Sequence, residues 1–376
     1  MTKHLLIISA LGLALGACKK QGCTDETATN YNEKATKDDG SCEYPATTSY
    51  TVPATYSFTD GNGNSTVSYS GQTDRLSQLD EMIAYAELGK TSIISSQVLN
   101  DMFSNSNNPF SFVSSKQLKD KCFGLDVAMI EGLFDKIANA SQVSSQTASS
   151  GQAGTLTSGN STYLFDENGF DCAEMIEKSI MGAVFMNQAL NVYFGTDKMN
   201  VDNSTAVNAS TGDYYTTMEH HWDEAFGYFG VPTDFPTTAA THYWGIYCNS
   251  QNPTLGCNAL MMNNFLKGRA AISNKVYADR DQAISTIRTT WENISASQAI
   301  AYMDKAISHY GTDNAKFLHV LTEAYTFSFN LRYSPLETRR MNTNEHMALM
   351  SQFGTNLWNL TLQDLNGIKA TLEAKY

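Results

Sequence analysis

From Gln72 to the C-terminus the apolar residues return at helical spacing, and this constrains the fold more than any other feature of the chain. Leu76, Leu79, Met82, Ile83 and Ala86 line one face of a first helix, which Gly89 stops. Further helices are expected near 92–103, 115–139, 171–194, 213–229, 258–277, 280–309, 313–331, 343–355 and 361–375. Thr361 with Asp364 approximates a capping box at the start of the last one. In the segment from Asp171 to Phe194, Met175, Ile176, Ile180, Ala183 and Leu190 share a side while Met181 and Phe185 lie opposite, so this helix should be contacted from two sides. Residues 141–162 and 196–212 are polar and aperiodic, as loops are. Only residues 49–72 look like strands: SYTVPATYSF and STVSYSG flank the turn TDGNGN and predict a short β-hairpin. The expected fold is mainly α. A length of 376 residues suits two packed helical bundles, split near 196–212.

The N-terminus predicts a destination. Lys3 and His4 precede an apolar run from Leu5 to Leu15, and Leu15-Gly16-Ala17-Cys18 resembles a bacterial lipobox. The run falls short of the about 20 apolar residues that span a bilayer, and it fits a removed signal peptide over 1–17. The expected mature protein is lipidated on Cys18 and held in a bacterial envelope, at the outer membrane, by that lipid. The net charge of −13 argues against nucleic acid as a partner.

Residues 18–48 then carry the lipid anchor and a small acidic module. GCTDETATNYNEKATKDDGSCEY resembles a short repeat of secreted bacterial proteins, with cysteines, Asn30-Tyr31 and Asp38-Asp39-Gly40 in register. Asp25, Asp38 and Asp39 could offer oxygen ligands to calcium, or the module is a disulfide-closed spacer. Apart from Cys18 there are six cysteines, an even number for an oxidising compartment. Local spacing pairs Cys23 with Cys42 and Cys248 with Cys257, which leaves Cys122 with Cys172. A metal–thiolate site is the alternative, although no CxxC spacing occurs.

The densest chemistry lies in MEHHWDEAFGYFG, residues 218–230. His221 and Glu224 are three apart, and His220 and Glu224 four apart, so each pair shares adjacent turns of a helix. Such pairs can ligate a transition metal when other helices complete the set. His242 and Glu174 are candidates for that completion. The competing account packs the stripe Met218, Trp222, Ala225, Phe226 and Phe229 inward and shows His220 and Glu224 to water. His319 and Glu323 form a second pair, which reads first as a surface salt bridge. Glu174 and Glu177 form another, near a helix start that favours acidic groups in any case. GxSxG, HExxH, P-loop and GxGxxG motifs are all absent, so the sequence does not announce an enzyme.

TVPATYSF, STVSYSGQTDRL, AEMIEKSIMGAVF and HHWDEAFGYFG, in that order, resemble a family of uncharacterised bacterial lipoprotein domains that is distantly similar to the imelysins. The resemblance implies helical bundles and a role in iron uptake. It also implies a GxHxxE metal motif, whose His and Glu fall on His221 and Glu224 while Glu219 replaces the Gly. The expected function is an envelope binding protein that handles iron, haem or another divalent metal beside an outer-membrane uptake system. An imelysin-type metal-dependent peptidase is one alternative. An adhesive or structural surface lipoprotein without a small ligand is another.

Overall fold

The computed structural model describes residues 20–26, 28–38, 40–42 and 49–376. The signal segment, the lipidation position Cys18 and Asp39 lie outside the described residues. Residues up to Ser49 form one unit and Tyr50–Tyr376 another. In the first unit, Cys23 and Cys42 are joined as a disulfide with Cα atoms 4.7 Å apart. Asp38 accepts the amide of Gly40 there, at 3.0 Å, and so shapes the turn before Cys42.

The second unit is mainly helical. Its elements run α1 (Ser70–Glu87), α2 (Ser96–Ser104), α3 (Val127–Ser141), β1 (Gly154–Ser158), β2 (Ser161–Phe165), α4 (Cys172–Ile180), α5 (Thr196–Met199), β3 (Ala206–Asn208), β4 (Asp213–Thr216) and α6 (Thr217–Phe229). They continue with α7 (Tyr243–Leu255), α8 (Cys257–Ser273), α9 (Tyr277–His309), α10 (Asn314–Asn330), α11 (Thr343–Phe353) and α12 (Leu362–Glu373). Both sheets are antiparallel two-stranded hairpins. The 33-residue α9 is the spine, packed by α7, α8, α10 and α12. Among the described residues no helix is long and apolar enough to cross a membrane.

Local chemistry accounts for the helix ends. Capping boxes open α6 (Thr216 with Glu219), α11 (Asn342 with Glu345) and α12 (Thr361 with Asp364). Gly230 ends α6 in the left-handed region at φ 74°, where a side chain would be strained. Beyond Ile180, α4 continues in wide π-type turns over Met181–Met186 and Gln188–Tyr193. Here Gly182 lets α10 approach closely, since a Cβ would lie 2.0 Å from Asn330 Oδ1. The Asn330 amide in turn donates to the carbonyl of Lys178 at 2.9 Å.

Three expectations change. The hairpin at 49–72 reduces to one antiparallel bridge, Thr59 with Ser65, around a turn in which Asp60 accepts the amides of Asn62 and Asn64. Its flanks serve the helices instead. Tyr56 stacks on Phe226 at 3.7 Å, and the Ser68 amide donates to Asp223. The real hairpins, β1–β2 and β3–β4, start in the aperiodic stretches and run past them, and β4 takes the first residues of the helix expected at 213–229. Residues 243–255, where no helix is expected, form α7, which ends just before Cys257.

The cysteine pairing changes too. Cys122, Cys172, Cys248 and Cys257 are free thiols. Each finds a local acceptor: Cys257 the carbonyl of Cys248 at 2.9 Å, Cys248 the Asn258 side chain, Cys172 the carbonyl of Phe170, and Cys122 that of Phe123. Burial, helped by Asp126 and Glu131, pushes the Cys122 thiol up to about 12, and burial raises Cys172 as well, so both stay protonated and unreactive.

Candidate metal centre

Two polar clusters are built into this helical frame. The first contains the HHWDE segment of α6. Its acidic residues are committed to neighbours. Arg269, fully buried, donates from Nε to Asp223 at 2.9 Å, from Nη1 to Glu219 and Ser273, and from Nη2 to the carbonyl and hydroxyl of Thr66. Tyr56 adds a hydrogen bond to Asp223 at 2.7 Å. Burial alone would raise the Glu219 carboxyl, but Arg269 and the cap amide hold it below its ordinary value.

Glu224 is not shown to water. Its side chain is 16% exposed and accepts from Gln72 and Tyr193, each at 3.0 Å. His221 Nδ1 lies 3.2 Å from the same carboxylate, and His220 Nε2 lies 3.8 Å away. His220 is anchored through Nδ1 to the carbonyl of Ser68 and stacks on Tyr215. His242 stands apart from this cluster, with Nε2 3.2 Å from Asp80 and Nδ1 2.9 Å from Thr241. Glu174 is not part of it either.

Glu174 joins the second cluster, between α4 and α10. Ligand atoms of Glu174, His319 and Glu323 all lie within 4.8 Å of one another, the one such group of three among the described residues. The pair His319–Glu323 is therefore not a surface salt bridge, since Glu323 is 5% exposed. The polar side of α10 faces the polar side of α4.

The centre is held from several sides. The Asp171 amide, just before α4, donates to Thr322 on α10 at 3.0 Å. This brings Asp171 Oδ2 within 3.0 Å of His319 Nδ1. His319 Nε2 then faces Glu323 Oε1 at 3.3 Å. Tyr163 from β2 lies against the imidazole, with centroids 4.4 Å apart. Tyr302 on α9 lies beside Glu323 and helps to hold its pKa down against burial.

Lys178 stands in the middle. It is 3% exposed, with Nζ 2.7 Å from Glu174, 2.7 Å from Glu177 and 4.0 Å from Glu323. It also lies over the Tyr247 ring at 5.4 Å. Burial disfavours its charge, but Glu174 and Glu177 outweigh that and raise its pKa. Burial likewise opposes a charged His319, and Asp171 reverses the effect. Glu174 is held low against burial by Lys178 and His319. Burial wins at Glu323, which is pushed up to about 7.

The donor set is one imidazole and two carboxylates, with a third carboxylate behind the imidazole. A histidine whose far nitrogen is held by a carboxylate is the usual arrangement of a metal-ligating histidine. Oxygen and imidazole donors without thiolate suit divalent first-row ions. Asp171 and Lys178 were not recognised from the sequence. The available signal was the run Glu174-Met-Ile-Glu177-Lys178, which places carboxylate and ammonium on adjacent turns. Of the predicted calcium ligands, Asp25 and Asp38 belong to the N-terminal unit. The acidic run Asp166–Asp171 forms a turn in which Asp166 accepts the amides of Asn168 and Phe170.

Residues 53–376 match the family described as Domain of unknown function (DUF4856). No curated protein and no solved structure matches the chain. The match spans nearly the whole helical unit and includes both polar clusters, and the chain belongs to the DUF4856 family.

Proposed function

We propose that this is a lipid-anchored envelope protein that binds a divalent first-row metal ion, such as ferrous iron, manganese or zinc, between α4 and α10. Glu174, His319 and Glu323 are the ligands, and Asp171 orients His319. The observation that carries the reading is the convergence of these three side chains within 4.8 Å, with the imidazole already fixed by Asp171. The ligands are partly accessible, because the side chains of Glu174 and His319 are 21% and 20% exposed, so an ion can enter and leave. Three protein ligands leave coordination positions open, which suits delivery to a transport system better than a closed structural site. The lipobox-like N-terminus supports the envelope location. The imelysin resemblance would put a metal motif at His221 and Glu224; the centre proposed here lies between α4 and α10 instead.

The test is a titration of the purified chain with Mn²⁺, Zn²⁺ and, without oxygen, Fe²⁺, followed by calorimetry and metal analysis. One equivalent should bind, and His319→Ala and Glu323→Gln should abolish it while His221→Ala leaves it intact. Binding that is lost in His221→Ala and kept in His319→Ala moves the centre to α6. Absence of binding by folded protein overturns metal handling.

A further inference from the structure

A groove of about 480 Å³ opens on another part of the helical unit, beside α11. Pockets of ~300–1,000 Å³ are the usual size for small-molecule ligands. Its walls are apolar and unusually exposed. Leu336 is 71% exposed and Met347 64%, and Met350 follows Met347 at three residues on the same helix face. Phe123 and Phe329 form the floor, partly buried against the core.

The groove is also cationic, in a chain of net charge −13. Arg332 is fixed in place. Its guanidinium lies 4.9 Å over the Phe329 ring, and Nη1 lies 3.3 Å from Asp126. Arg339 is not neutralised. Among the described residues no carboxylate oxygen lies within 4.0 Å of it. Its Nη1 donates to the carbonyl of Arg332 and its Nη2 to the Thr343 hydroxyl, while the buried Nε has no partner. A guanidinium carries five N–H donors; with one on each Nη engaged and Nε buried, two remain for an acceptor in the groove, one on each Nη.

Nearby carboxylates are engaged elsewhere. Glu292 takes the Arg340 amide at 2.8 Å and the Tyr376 hydroxyl at 2.6 Å, Glu345 pairs with Lys375, and Glu337 pairs with Arg288. His346, which also lines the groove, is turned to the carbonyl of Ser328.

We propose that this groove binds a free amphiphile with a carboxylate head, a fatty-acid-like anion. The head pairs with Arg339, where planar fork geometry favours a carboxylate. The hydrocarbon covers Leu336, Met347 and Met350, which otherwise stay in water. The unpaired guanidinium and the adjacent exposed apolar wall each call for one half of such a molecule.

Dodecanoate, kept below its micelle concentration, is the probe, titrated calorimetrically into the purified chain. One equivalent should bind. Arg339→Gln and Met347→Asp should each weaken it by about tenfold or more, with the far-UV circular dichroism of both variants unchanged. Dodecyltrimethylammonium should not compete. Equal affinity in Arg339→Gln, equal binding of the cationic amphiphile, or no binding by folded protein overturns the proposal. Binding only to anionic phospholipid vesicles, and not to free dodecanoate, also overturns it.

Discussion

Replacing Lys178 with methionine separates the resident cation of the α4–α10 centre from the ion that is proposed to bind there. The ammonium lies within 2.7 Å of both Glu174 and Glu177 and 4.0 Å from Glu323. A metal ion held by Glu174, His319 and Glu323 would therefore sit beside it. At an effective dielectric constant of about 20, two unit charges ~4 Å apart interact by about 4 kcal/mol. The repulsion with a divalent ion is larger before the lysine swings away. Without metal, the variant loses the counter-charge of buried carboxylates. Removing one partner of a buried pair costs about 3–5 kcal/mol. With metal, the same variant gains, because nothing competes for Glu174.

Lys178→Met should thus unfold at lower denaturant than the parent without metal and recover most of that loss when Mn²⁺ or Zn²⁺ is added. Its affinity should exceed the parent's by about 10- to 100-fold, or ~1.4–2.7 kcal/mol. Ligand present at about 100 times its dissociation constant adds about 2.7 kcal/mol of stability, so denaturation with and without metal resolves the effect. Lys178→Gln, which keeps a polar group, is the check if methionine prevents folding. A destabilised variant that metal does not rescue, with affinity no higher than the parent's, would refute the claim that ammonium and metal share one place.

Other expectations follow from the same geometry. Asp171→Asn should keep the fold and lower metal affinity by about 10- to 100-fold, as loss of a partner behind a ligating histidine does, read by competition with a chelator. Gly268→Ala should destabilise by about 1–3 kcal/mol or more, because its Cβ would lie 2.0 Å from the Trp222 ring; an unchanged thermal midpoint would show that α6 and α8 can separate there. The hydrogen bond to Asp80 raises His242, so its NMR titration should fall above 6.5 and return toward 6.5 in Asp80→Asn. The small stability that this pair contributes should be complete below pH 6.5 and be lost as pH rises through the folded value.

Much of this architecture can be read locally. Helices with apolar periodicity, such as α1, α10 and α12, fall close to where residue spacing places them, the last two with side-chain caps as well. α7 does not, because Asn249, Ser250, Gln251, Asn252 and Pro253 hide a helix whose inner face is Trp244 and Cys248. The strands β1 and β2 are masked by Ser, Thr and Gly, and pair because Leu164 and Phe165 reach the core. The proposed metal centre is legible only in pieces. Glu174 and the pair His319–Glu323 lie far apart in the chain, and each pair on its own is an ordinary feature of a solvated helix. What joins them is the packing of α4 on α10, guided by Gly182 against Asn330 and by the bond from Asp171 to Thr322. No spacing rule within one helix contains that information.

The two polar clusters differ in the property that separates structural from functional burial. Around Arg269, all five guanidinium N–H donors have acceptors, and Asp223 is further satisfied by Tyr56 and the Ser68 amide. Such a network fixes α6 against α8 and needs nothing from outside. Around Lys178 the account does not close. Four carboxylates, of Asp171, Glu174, Glu177 and Glu323, share one lysine and one histidine. Asp171 Oδ1 is buried without a hydrogen bond, while Glu174 Oε2 is matched only by Lys178 at 2.7 Å. Buried polar atoms left unsatisfied are rare and call for a cause. Excess carboxylate oxygen around an oriented imidazole is what a site would show if its balance were completed by a cation. On that argument the histidine-rich α6 segment, the more conspicuous in sequence, holds the fold together, while the plainer Glu174, His319 and Glu323 are the residues proposed to bind.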